Sequence, residues 1–152
     1  AGQGTRVEIL LPRVAAPPSL EQATAPAPKG ACGTILVVED QPPVRRVIAQ
    51  ILRLQGHTVL EAGDAAEALA VAAAHPGAID LLLTDILMPG IRGPELALRL
   101  RDQRRSLAVL YMSGYFSGEA AAEPGESHQP PILRKPFTAE ALARAVCDAL
   151  AG

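Results

Sequence analysis

From residue 34 onward the chain alternates short, largely apolar runs with longer segments whose apolar positions recur at helical spacing. The runs are Ile35–Glu39, Thr58–Glu61, Ile79–Thr84, Leu107–Met112 and Pro131–Leu133, rich in Val, Leu and Ile. A short run that is apolar at nearly every position leaves no solvent face, which predicts strands buried on both sides of a sheet. Between the first two, Pro43–Gln55 carries Val44, Val47, Ile48, Ile51, Leu52 and Leu54 as a broad helical stripe. Gly56 is placed to end that helix as a C′ glycine. Asp64 caps an alanine-rich helix to about Ala74, closed by His75-Pro76-Gly77. Pro94–Gln103, with Leu96, Leu98 and Leu100, and Ala139–Leu150, with Leu142, Val146 and Leu150, read as two further helices. Strands alternating with helices of this length predict an α/β doubly wound domain, a parallel sheet with helices on both faces. Ser117–Glu123 is the weak element, because Pro124-Gly125 breaks it, so a short or irregular fourth helix is expected there.

The first 33 residues follow another rule. Residues 13–33 are rich in Pro and Ala with no sustained apolar period, the composition of a flexible linker. Ahead of it, Thr5–Leu11 alternates Val7, Ile9 and Leu11 with Arg6 and Glu8. One strand cannot fold alone, so this arm is expected to be disordered or to borrow a sheet edge. The chain has neither an initiator Met nor a signal-peptide pattern, which leads to the expectation of a piece of a larger polypeptide. At 152 residues, 49% hydrophobic and 20% charged, it has room for one domain plus a tail and is a poor candidate for global disorder. A net charge of −2 gives no footprint for nucleic acid or an anionic membrane. The scattered arginines Arg45, Arg46, Arg99, Arg101, Arg104 and Arg105 read as solvated helix faces. Cys32 and Cys147 lie far apart, with no disulfide framework or zinc spacing, so a reducing cytoplasm is the expected compartment. No apolar run approaches the ~20 residues that span a bilayer, and no direct membrane contact is expected.

Chemistry collects at the strand ends. Glu39 and Asp40 close the first run, Asp85 follows the third, Ser113 follows the fourth, and the last run leads to Lys135. In a parallel sheet all C-terminal strand ends share one edge, where such sheets bind ligands. Taken singly, Asp40 reads as a helix cap, Asp85 as a turn former, Glu39 and Lys135 as surface charges, and Ser113 as a strand-end hydroxyl. Together, three carboxylates within ~5 Å would repel by roughly 3 kcal/mol per pair at an effective dielectric near 20. Such a cluster needs a neutralising partner. Mg²⁺, a hard ion held by one or two carboxylates, a carbonyl and waters, suits it, and no His or Cys lies nearby for zinc. Pro136 restricts Lys135 to an extended backbone and admits a cis bond, so the lysine can act as a point charge for a phosphoryl oxygen. Met88-Pro89-Gly90 makes a sharp turn that exposes Asp85 and aims the Leu87 carbonyl toward the metal.

VVED, TDILMPGIRG, MSGY and LRKPFT, in that order, resemble the receiver domain of two-component response regulators over about residues 34–150. The resemblance implies a flavodoxin-like (βα)5 sandwich of strand order 2-1-3-4-5. By motif it makes Asp85 the phosphoacceptor, with Glu39, Asp40, Asp85 and the Leu87 backbone carbonyl as the Mg²⁺ site. Ser113 becomes the switch hydroxyl and Lys135 the phosphate-binding lysine. Ile132 stands where the family often has the switch aromatic, and Tyr115 is the candidate substitute. The implied partner is a histidine kinase phosphodonor domain, possibly in cis, or a histidine phosphotransfer protein, with the receiver a monomer or weak dimer.

GQGTRVEILLPR, residues 1–12, resembles the last glycine box and final strand of a histidine-kinase ATPase domain. With the 13–33 linker it implies a hybrid sensor kinase carrying a C-terminal receiver at 34–150, with a parent kinase that can be membrane-attached. Two other readings stay open. One is a docking domain that keeps the pocket without accepting phosphate. The other is a Mg²⁺-dependent phosphatase with an aspartate nucleophile, although Leu87 stands where such enzymes commonly place a second acid. A nucleotide-binding domain is disfavoured, because EDQPP rather than a glycine-rich loop follows the first strand.

Overall fold

The computed structural model describes residues 32–114 and 130–151. Five strands form one parallel sheet: β1 (Thr34–Val38), β2 (Thr58–Ala62), β3 (Leu81–Asp85), β4 (Ala108–Ser113) and β5 (Ile132–Arg134). Their spatial order is β2-β1-β3-β4-β5, the 2-1-3-4-5 arrangement of a flavodoxin-like sandwich. Among the described residues the helices are α1 (Pro42–Leu54), α2 (Ala65–Ala74), α3 (Gly93–Gln103) and α4 (Ala139–Ala151). The expected weak helix at 117–123, Tyr115, the arm and nearly all of the linker lie outside the described residues. No helix among the described residues is long and apolar enough to cross a membrane.

Period-two alternation divides each buried strand between two cores. Leu36 and Val38 of β1 face one side with Leu82 and Val109, where Ala65, Ala68 and Ala72 of α2 and Leu96, Ala97 and Leu100 of α3 cover them. Ile35 and Val37 face the other with Leu81, Leu83, Leu110 and Met112, under Ile48 and Leu52 of α1 and Leu142 and Val146 of α4. The apolar runs carry no polar alternation because both of their faces are covered.

The helix ends follow local chemistry. Asp64 accepts from the Glu67 N–H at 2.8 Å, and Glu67 reaches back to the Gly63 N–H at 2.6 Å. Gly56 adopts φ +94 after α1, as a C′ glycine does. The N-cap of α1 is Gln41, so Asp40 is not the cap of that helix. Two stripes are narrower than their apolar residues suggest. Val47 and Leu54 of α1 and Leu98 of α3 are exposed, since each lies off the arc that meets the sheet.

Arg104 is not a solvated charge. Its guanidinium donates to the carbonyls of Ala72 and Gly77 at 2.7 Å and of His75 at 3.0 Å. The last turn of α2 has no basic residue of its own, and Arg104 supplies the donors its terminal carbonyls need.

Candidate functional site

The crossover order places the ends of β1, β3, β4 and the β5–α4 turn side by side at one sheet edge. Lys135 organises them. Its ammonium donates to Glu39 Oε2 at 2.5 Å and to Asp85 Oδ2 at 2.7 Å, while its backbone N–H bonds the Ser113 carbonyl at 2.7 Å. The following Lys135–Pro136 bond is cis. Burial disfavours the Lys135 ammonium, but the hydrogen bonds and charges of Asp85 and Glu39 outweigh it and raise its pKa.

Glu39 is buried at 0% exposure and is no surface charge. Its N–H donates to the Ala62 carbonyl at 3.2 Å, its carbonyl accepts from Arg45 Nη1 at 2.6 Å, and its Oε1 accepts weakly from the Gln41 N–H at 3.4 Å. Asp85 ends β3 with its side chain partly open to solvent, and its Oδ1 accepts from the Leu87 N–H at 3.1 Å. Asp40, the next residue after Glu39, is exposed. Ser113 is buried at the end of β4, where its hydroxyl donates to the Gly114 carbonyl at 3.2 Å. Ile132 opens β5 half-exposed, in register with Tyr111 of β4.

Lys135 thus holds Glu39 and Asp85 together and relieves repulsion for which Mg²⁺ was the expected neutralising partner. Among the described residues, no group of three or more His, Cys, Asp or Glu side chains is drawn together as a metal cage. A cage is not what Mg²⁺ requires, because it keeps several waters and takes one or two carboxylates. Lys135 draws Glu39 and Asp85 together, and Asp40 follows Glu39 in the chain with its side chain exposed; three carboxylates against one lysine leave two formal negative charges, on oxygen donors of the kind a hard cation accepts. The donor set fits.

Two residues that shape this edge, Gly93 and Thr84, have no assigned role in the sequence, and a third, Arg45, reads there as a solvated charge. Gly93 opens α3 so close to β3 that a Cβ there would stand 2.2 Å from the Asp85 carbonyl oxygen. Thr84 is fully buried beside Asp85, with Oγ1 3.1 Å from its carbonyl. Arg45 bonds the Glu39 carbonyl. A glycine within TDILMPGIRG was visible, but only the approach of α3 to β3 explains it.

The sequence profile described as Response regulator receiver domain matches residues 35–147. The chain belongs to the response regulator receiver family. Receivers are the modules of two-component signalling, and several relatives are similar to this chain in sequence. The sensor kinase CckA of Brucella abortus is 30% identical over 98% of this chain and 17% of its own length. The chemotaxis protein CheY of Pseudomonas aeruginosa is 35% identical over 71% of this chain and 88% of its own. Among solved structures, the receiver domain of the hybrid histidine kinase CckA superposes with a TM-score of 0.65 at 41% identity, covering 78% of this chain and 99% of that one. The chain spans 17% of the CckA kinase and 47% of TcrA, a transcriptional regulatory protein of Mycobacterium tuberculosis.

Proposed function

We propose that this receiver accepts a phosphoryl group on Asp85 from a phosphohistidine. The observation that carries the proposal is Lys135, which bridges buried Glu39 and the partly exposed carboxylate of Asp85. Asp85 acts as the nucleophile in an in-line displacement: its Oδ–P bond forms as the P–N bond to the donor imidazole breaks and the ring nitrogen keeps the electron pair. Lys135 moves with the charge, taking an equatorial phosphoryl oxygen in place of a carboxylate oxygen. Ser113, at the neighbouring strand end, is the hydroxyl assigned to the phosphoryl group in this reading. Mg²⁺, held by Glu39, Asp40, Asp85 and the Leu87 carbonyl, supplies charge neutralisation when bound. Hydrolysis returns the site: water attacks phosphorus, inorganic phosphate leaves, and the Asp85 carboxylate is restored.

The partner is a histidine kinase phosphodonor domain, in cis or in trans, or a histidine phosphotransfer protein, in the cytoplasm. Similarity to the CckA sensor kinase over 98% of the chain supports the cis arrangement, since it takes in residues ahead of the receiver. In that arrangement residues 1–12 end a kinase ATPase domain and 13–33 link it to the receiver. An amide NMR titration with Mg²⁺ and then beryllofluoride tests the site. Shifts centred on Asp40, Asp85, Ser113 and Lys135 are expected. No response to either addition would remove the proposal and leave a docking domain.

A further inference from the structure

We infer that Arg45 is a positioning residue for the acidic turn, holding the Glu39–Asp40 peptide in the orientation that binds Mg²⁺. This rests on the proposed phosphoacceptor function. The Arg45 side chain is 19% exposed, and its Nη1 lies 2.6 Å from the Glu39 carbonyl oxygen, a charge-assisted bond. On the other face of the same residue, the Glu39 N–H bonds the Ala62 carbonyl at 3.2 Å. The main chain at Glu39 is therefore held from both sides, just before Asp40 turns out of the sheet.

The surroundings are built around this guanidinium. Arg45 Nε lies 3.9 Å from Glu61 Oε2, and Arg53 holds the other Glu61 oxygen at 2.8 Å. A Cβ on Gly63 would stand 3.2 Å from Arg45 Nη1 and 3.3 Å from Glu67 Oε2, so the glycine leaves the arginine its space. Helix preference does not account for Arg45, because the opening turns of a helix disfavour cations and α1 has no acid in its first turn. A lysine offers a point charge in place of the planar fork that reaches Glu39 and Glu61 together.

The sign of the effect separates positioning from charge. Deleting a cation beside a cation site should tighten Mg²⁺ binding by electrostatics alone. Positioning predicts the reverse, about a 10-fold weaker Mg²⁺ affinity in Arg45→Ala, as for partners that orient metal ligands. Arg53→Ala, which loses the contact to Glu61 and none to Glu39, should keep the wild-type affinity. Affinity is read from amide shifts during Mg²⁺ titration, and fold from urea unfolding. A folded Arg45→Ala with unchanged or tighter affinity overturns the inference. If Arg45→Ala does not fold, Arg45→Lys takes its place with the same expected direction and the same contrary result. Hydrogen exchange at the Asp40 and Gln41 amides needs no metal. It should accelerate in Arg45→Lys, and unchanged exchange overturns the inference. Wild-type protein that binds no Mg²⁺ would instead remove the proposed function.

Discussion

Replacing Lys135 by Met should destabilise the receiver in chelator by about 3 kcal/mol, because it strands the Glu39 charge in the interior. Breaking a buried ion pair on one side costs about 3–5 kcal/mol, since the remaining charge has lost its partner. Glu39 is fully buried, but the Asp85 and Lys135 side chains are 14% and 21% exposed, which places the cost at the low end. Methionine keeps most of the stem's packing, so the loss reports charge rather than volume. With a urea slope of about 1.5 kcal/mol per M, the unfolding midpoint falls by about 2 M. Circular dichroism across a urea series in chelator reads it directly. The double variant Glu39→Gln with Lys135→Met should recover much of the loss, because the uncompensated charge is gone. A loss below about 0.5 kcal/mol, the range of ordinary surface substitutions, would refute the reasoning and show Glu39 solvated without Lys135.

Gly93→Ala should cost about 1–3 kcal/mol by overpacking, because the new methyl would meet a backbone oxygen that cannot swing aside. Urea unfolding measures that cost, and the Asp85 amide resonance should shift with it. Arg104→Ala removes charge-assisted bonds to the end of α2 and should cost about 1.5–3 kcal/mol, with faster hydrogen exchange confined to that end. Alkaline pH should weaken the fold. The raised pKa of Lys135 contributes stability that is complete below the unfolded lysine value and lost as pH rises through the folded one. Tyr111, raised by burial against the opposing charge of Arg101, acts in the same direction. Unfolding free energy measured from neutral pH upward should fall, with a shallower slope in Lys135→Met.

The fold was legible because β1, β3 and β4 are buried on both faces and announce themselves as unbroken apolar runs. The site was legible to the extent that strand ends share an edge: Glu39, Asp85, Ser113 and Lys135 meet there. What periodicity could not show is which side chains touch. Glu39 reads as a surface charge until Lys135, 96 positions later, is seen to cover it. Arg45 and Arg104 read as solvated because their partners are backbone carbonyls, which leave no mark on residue type. Val47, Leu54 and Leu98 overstate their helices' buried faces, since hydrophobic residues occur on surfaces as well as in cores.

The most direct measurement is intact mass after incubation with a small-molecule phosphodonor, with Mg²⁺ and with chelator, in wild type and in Asp85→Asn. The account predicts a gain of one phosphoryl group in wild type with Mg²⁺, its loss in chelator, and none in Asp85→Asn. Equal phosphorylation of Asp85→Asn would contradict the central claim.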